Sequence, residues 1–257
     1  MLTVISPAKS LDLTPVSTPG TAPAFQADAA RLAATARGLS LRDLRGLMDI
    51  SADLARLNRD RFKAFSTDPT AQQTKPAALA FNGDTYVGFD AKTLTPEDLT
   101  YAQGHLRILS GLYGLLRPMD AIQPYRLEMG SRLKTRRGQS LYDYWGDTVA
   151  KALRNQALAI GTDTLINCAS QEYFHAADRK SLKLQVITPV FLEDKNGKTN
   201  IVSFFAKRAR GSMARFITVN RITDPAAIRD FDTGGYSYAP KLSQGDHWAF
   251  VRPAPTV

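Results

Sequence analysis

The 257-residue chain reads as an α+β fold, a mixed β-sheet with helices around it. Two observations point there. Short apolar runs of strand character are interleaved with longer stretches of helical spacing, but without the regular alternation of a βαβ protein. With 44 % hydrophobic residues, the chain can bury a large core, as one substantial domain or two small ones.

The elements follow in order. Leu2 to Ile5 is a short apolar run that predicts a buried strand, ending in Ser6-Pro-Ala-Lys9. Residues 14–24, rich in Pro, Thr and Ala, predict a surface connection. Helical patterns follow at about 25–38, 40–48 and 52–65, then a Pro/Gln/Thr-rich loop at 67–76. Asn82-Gly83 between Leu79 and Val87 predicts a β-hairpin. Thr95, Pro96 and Asp98 form a helix-start signal, and Leu106, Leu109 and Leu112 are assigned to the apolar side of that helix. Ser140 with Asp143 repeats the capping signal for a helix running to about Leu158. Thr164 to Asn167 is a short strand. Leu184 to Leu192 and 199–205 form a hairpin around Asn196-Gly197, and Trp248 to Val251 is a late strand.

Charge is distributed unevenly. Residues 1–100 carry 11 Lys/Arg against 11 Asp/Glu, whereas 101–257 carry 22 against 13 and hold the whole net charge of +9. A localised positive surface follows, and nucleic acid, nucleotides or an anionic membrane could each answer it. Membrane is the weakest of these, because no long apolar segment is present. The absence of a leader at Met1 and the single cysteine, Cys168, lead us to expect a reducing, cytoplasmic setting. One cysteine and three scattered histidines (His105, His175, His247) offer no metal-ligand spacing. Neither a metal nor a cofactor is expected, since no Walker loop or Rossmann glycine fingerprint occurs.

Residues 205–216 are the most informative segment. At helical spacing Ala206, Ala209, Met213, Phe216 and Ile217 form an apolar face, opposite Lys207, Arg208, Arg210 and Arg215. Gly211 and Ala214 lie at the centre of the polar face, leaving it bare for a polyanion's close approach. No acid occurs between Phe204 and Thr223, where a merely solvated helix would mix its charges.

A second candidate contact lies in the helical hairpin at about 40–65. Against the helix-hairpin-helix pattern Leu-Pro-Gly-Ile-Gly-x-x-x-Ala, Leu47, Ile50 and Ala55 match, while Asp49 and Ser51 replace both glycines. Such a turn aims backbone N–H groups at a phosphate. Ser51 can cap the second helix, but Asp49 would repel a phosphate it faced. Taken alone, a plain helical hairpin packed on the core describes this segment better.

Three strand ends carry polar residues suited to a ligand site: Ser6 and Lys9; Asn167, Ser170 and Glu172; Lys207 and Arg208. Ser6-Pro-Ala-Lys9 fits the Ser-x-x-Lys of acyl-enzyme hydrolases, but the Ser-Asp-Asn and Lys-Thr-Gly partners are missing. Lys9 and Glu172 are the candidate catalytic residues, and Glu172 reads equally as a general base or as the partner of an arginine. Arg117 and Arg126 are candidate anion contacts, or alternatively partners of Asp120 and Glu128.

The segments Ile5 to Asp12, Phe81 to Asp84, Leu109 to Pro118, Pro124 to Gly130, Tyr144 to Gly146, Asn167 to Phe174 and Phe205 to Phe216 together resemble the YaaA family of bacterial proteins. The resemblance runs in the same order from residue 1 to about 238. It implies a compact single-domain fold over 1–257 with a basic cleft and a helix-hairpin-helix-like element. It also implies binding of double-stranded or distorted DNA, survival of peroxide stress and restraint of free intracellular iron, with no known reaction. Two readings follow. In the first, the chain binds DNA without strong sequence preference. Lys207, Arg208, Arg210 and Arg215 contact phosphates around Gly211, with Lys9, Arg117 and Arg126 in the same cleft and the 47–55 hairpin nearby. In the second, it is an enzyme acting on a nucleotide or damaged nucleobase. A deep pocket favours the enzyme and a duplex-wide groove favours the binder.

Overall fold

The opening apolar run is strand β1 (Leu2–Ile5), and all four of its residues are buried. Residues 1–254 are described by a computed structural model, so the last three positions of the expected 1–257 domain lie outside the described residues. In chain order the other strands are β2 (Ser10–Leu11), β3 (Lys75–Pro76), β4 (Phe81–Asn82), β5 (Leu106–Ser110), β6 (Gly114–Leu116), β7 (Ala121–Ile122), β8 (Thr164–Cys168), β9 (Gln185–Lys195), β10 (Lys198–Asn200), β11 (Ser237–Tyr238) and β12 (His247–Pro253). The α-helices are α1 (Gln26–Arg37), α2 (Leu41–Met48), α3 (Ala52–Ala64), α4 (Ala77–Ala80), α5 (Asp84–Phe89), α6 (Pro96–His105), α7 (Leu141–Trp145), α8 (Thr148–Ala159), α9 (Gln171–Phe174) and α10 (Ser203–Val219).

The main sheet is mixed, in the order β11-β12-β9-β8-β1-β5-β6, with β10 beside β9. Its central pairings are parallel, from β12 through β9, β8 and β1 to β5, and antiparallel strands close both edges. The fully buried β1, apolar except for Thr3, suits a strand covered on both faces. Chain order reverses at β1, whose neighbours are β5 on one side and β8 on the other. Such a reversal leaves a crevice beyond the C-terminal ends of the strands. Ile5 is level with Cys168 there, so Ser6 and Ala169 leave the sheet side by side.

Capping boxes form at Thr95/Asp98 and Ser140/Asp143 as the sequence predicts. Four expectations are corrected. The expected strand at 199–205 ends at Asn200, and Ser203 already opens α10. The segment around Asn82-Gly83 is not a hairpin. Asn82 ends the two-residue β4, and Asp84 opens α5. Leu106 and Leu109 belong to β5 rather than to the preceding helix, which stops at His105 where the chain enters the sheet. The helix from Ser140 is two helices, because Gly146 takes a left-handed conformation (φ +46°) that ends α7.

The 40–65 segment is a pair of helices, α2 and α3. Asp49 ends α2 in the left-handed region (φ 48°), and the Ser51 hydroxyl accepts a hydrogen bond from the Leu54 N–H at 3.3 Å. Leu47 and Ile50 pack against the core, and Ala55 is buried within it. One hydrophobic core, from Met1 to Phe250, serves the whole described chain.

Candidate functional site

Ser6 and Lys9 leave β1, Ser170 and Glu172 leave β8, and Lys207 and Arg210 come from α10. All six line one cavity of about 390 Å³, closed on its far side by Asn82 to Thr85 at the start of α5. The two strand exits are tied together. The Ser170 N–H donates to the Ser6 hydroxyl at 2.9 Å, and that hydroxyl donates to Ser170 Oγ at 3.3 Å. The Tyr86 hydroxyl holds the Ser6 carbonyl at 3.1 Å. Glu172 is positioned by the Gly130 N–H, which donates to its Oε1 at 3.0 Å. Burial pushes the Tyr173 hydroxyl well up, so it remains a neutral donor beside the cavity.

Arg210 stands where this cavity meets a second one of about 1060 Å³. The second cavity also holds Glu172, His175, Asp178 and His247. Burial lowers the pKa of Arg210 and no neighbouring carboxylate offsets it. Among the described residues Arg210 has neither an ion pair nor a hydrogen-bond partner, and the same holds for the exposed Lys207. A partly desolvated, unpaired guanidinium gains from an anion that joins it. Cys168 lies under Arg210, and burial pushes its thiol up to about 12 despite that charge.

The lining is not uniformly basic. Lys9, Lys207 and Arg210 share the first cavity with the carboxylates of Asp84 and Glu172. Lys9 also lies 3.6 Å from Glu128, which in turn accepts from Arg126 Nε at 2.9 Å.

Several expected site residues fall elsewhere. Gly211 and Ala214 are buried, not at the bare centre of an exposed face. A Cβ on Gly211 would fall on the Thr85 carbonyl, so the missing side chain admits α5 rather than a polyanion. Arg208 and Arg215 lie on the far side of α5 from the cavity, in a separate pocket. Arg215 Nη1 donates to the carbonyls of Phe89 at 3.0 Å and Asp90 at 2.8 Å, capping the end of α5. Arg117 is committed to Asp120, through Nε at 2.9 Å, and to the Ala22 carbonyl at 3.0 Å, and it lines neither cavity. Arg126 is half-buried and held by Glu128, behind Lys9 rather than in the cavity. No residue of the 47–55 hairpin lines either cavity.

The sequence reading missed Asn82 to Thr85 as site residues because Asn-Gly is a turn signal. It missed His175 and His247 because only the folded chain brings these distant residues to one cavity. Among the described residues no group of three or more His, Cys, Asp or Glu is placed to hold a metal ion, and no helix is long and apolar enough to cross a membrane.

Comparison with known proteins agrees with the resemblance noted above. A family model described as peroxide stress protein YaaA matches residues 1–242. A UPF0246 protein of Roseobacter denitrificans is 63 % identical over 257 residues, covering 99 % of each chain. One from Ruegeria pomeroyi is 64 % identical over 253 residues, covering 98 % of this chain and 99 % of the relative. One from Caulobacter vibrioides is 52 % identical over 257 residues, covering 99 % and 100 %.

Proposed function

Since the chain belongs to the peroxide stress protein YaaA family, we propose that it acts in the peroxide response by binding duplex or distorted DNA without strong sequence preference. The unpaired, partly desolvated Arg210 carries this reading, with Lys207 and Lys9 beside it. A phosphate supplies the charge partner that the protein itself withholds from Arg210. The excess of cations after residue 100 adds the longer-range attraction that draws a polyanion in. The carboxylates of Glu172 and Asp84 set a limit on how the backbone can run. Phosphates follow the α10 side of the cleft and avoid its floor. In this reading the 47–55 hairpin is a separate backbone contact, made through the N-terminus of α3, and any effect on iron is indirect.

The test is a fluorescence-anisotropy titration of a short duplex at several salt concentrations. Each phosphate contact contributes a log–log slope of roughly −0.9. The Lys207→Gln/Arg210→Gln protein should bind more weakly and lose about two contacts' worth of that slope. No binding by the native protein at low salt rejects the proposal.

One observation favours a second reading, an enzyme acting on a nucleotide or damaged nucleobase. A cavity of about 390 Å³ suits a single small ligand, and Glu172 and Lys9 both face it. Turnover of such a substrate, abolished in Glu172→Gln with binding retained, would establish this reading. Equal and zero turnover by both proteins would dismiss it.

A further inference from the structure

α10 turns a second set of cations away from the cleft. Arg208 and Arg215 of α10 and Arg252 of β12 converge on a pocket of about 490 Å³ on the opposite side of α5. Arg252 is fixed. Its Nε donates to both oxygens of the buried Glu193 at 2.8 and 2.9 Å, and its Nη1 donates to the Gly234 carbonyl at 3.2 Å. Its guanidinium lies over the rings of Phe205 at 4.3 Å and Tyr236 at 4.9 Å, and its Nη2 is buried with no acceptor. Arg215 uses one nitrogen to cap α5 and leaves the rest of its guanidinium uncommitted. Arg208 is exposed and has no ion-pair partner among the described residues. The hydroxyls of Ser212 and Thr233 border the same space. Asp90 is the one carboxylate among the residues lining it, and Glu193 is spent on Arg252.

Glu193 neutralises Arg252, which leaves Arg208 and Arg215 as two cations facing a single carboxylate, and an anion with several oxygens offsets that excess while accepting from forked donors. We infer that this pocket is a binding site for a phosphate group, separate from the cleft and independent of what the cleft binds. Its volume lies in the range of small-ligand sites. The phosphate comes either from a free phosphate ester or from a DNA backbone that crosses α5, and the two sources share the same recognition chemistry.

Calorimetry with pyrophosphate as the probe tests the site, using the full chain. Saturable binding is expected in the native protein and in Lys207→Gln/Arg210→Gln, weakened about tenfold by Arg208→Gln and partly restored by Arg208→Lys. That result makes a free phosphate ester the source. If pyrophosphate does not bind, an equivalent loss of duplex affinity in Arg208→Gln, adding to that of the cleft variant, makes the DNA backbone the source. The inference is overturned if Arg208→Gln changes neither affinity, or if pyrophosphate binding is lost in the cleft variant alone. Because the cleft variant is measured alongside, failure of the DNA-binding proposal and failure of this site give different patterns.

Discussion

Gly88 and Gly211 each lie against the backbone of the other's helix. A Cβ on Gly88 would fall on the Arg208 carbonyl and come within 2.8 Å of the Ser212 nitrogen, and a Cβ on Gly211 would fall on the Thr85 carbonyl. The two glycines therefore let α5 and α10 cross in direct backbone contact. That crossing splits the cations of α10, sending Lys207 and Arg210 to the cleft and Arg208 and Arg215 to the pocket behind it.

Gly211→Ala should destabilise the protein. In an open helix the change would gain about 1 kcal/mol. Here the added methyl meets backbone that cannot rotate away, so the loss should be about 3 kcal/mol, at the upper end of overpacking costs. Gly88→Ala should act in the same direction. Urea denaturation reads both, and an unchanged or raised midpoint for Gly211→Ala would refute the close crossing.

Arg208 and Arg215 should differ in their effect on stability although they sit one above the other on the same helix. Arg215→Met removes the donor shared by the Phe89 and Asp90 carbonyls and should cost about 1.5–3 kcal/mol. Arg208→Gln should stay within about 0.5 kcal/mol. Thermal unfolding of the two variants separates them, and equal midpoints would count against Arg215 as the cap of α5.

Stability should fall with acid in two stages. Burial holds His105 below its ordinary value, so the unfolded chain takes that proton first as pH drops through about 6.5. The hydrogen bond from Lys92 to Asp12, and that from Arg221 to Asp98, hold both carboxyls below the usual range. Their stabilisation is complete above the unfolded carboxylate value of about 4 and is lost as pH falls from there towards the folded values. A melting-temperature profile should slope gently below about pH 6.5 and steeply below about pH 4. His105→Gln should remove the first stage and Asp98→Asn should soften the second. A flat profile down to pH 4 in the native protein would exclude the His105 stage.

Cys168 should resist both alkylation and peroxide in the folded protein. Its thiol is buried and pushed up to about 12, so the reactive thiolate is scarce at neutral pH. Mass spectrometry should find it unmodified by iodoacetamide at pH 8 until denaturant is added. Rapid modification under native conditions would make Cys168 a sensor rather than a core residue.

Local rules located most elements. The capping boxes at Thr95 and Ser140, the buried run of β1, and α1 to α3 were all legible in the sequence, because spacing and side-chain caps act over a few residues. The Leu79–Val87 hairpin failed for a physical reason. Asn-Gly suits a tight turn, but Asn82 pairs with Ser10 in β4 while α5 is held by its packing on α10. A tertiary contact overrode a turn preference.

The mixed α+β class, the polar residues placed just beyond apolar strands, and an acid-free cationic helix all follow from periodicity and composition. What the cations face does not, because it depends on packing between distant segments. Helical spacing places Gly211 on the polar side of α10, but it cannot say that α5 packs across that side. Nor can it say that Arg117 and Arg126 are neutralised by Asp120 and Glu128, or that Ser6, Ser170 and Arg210 meet at one crevice. A charge becomes a binding group only when its surroundings leave it unpaired, and that depends on partners distant in the chain.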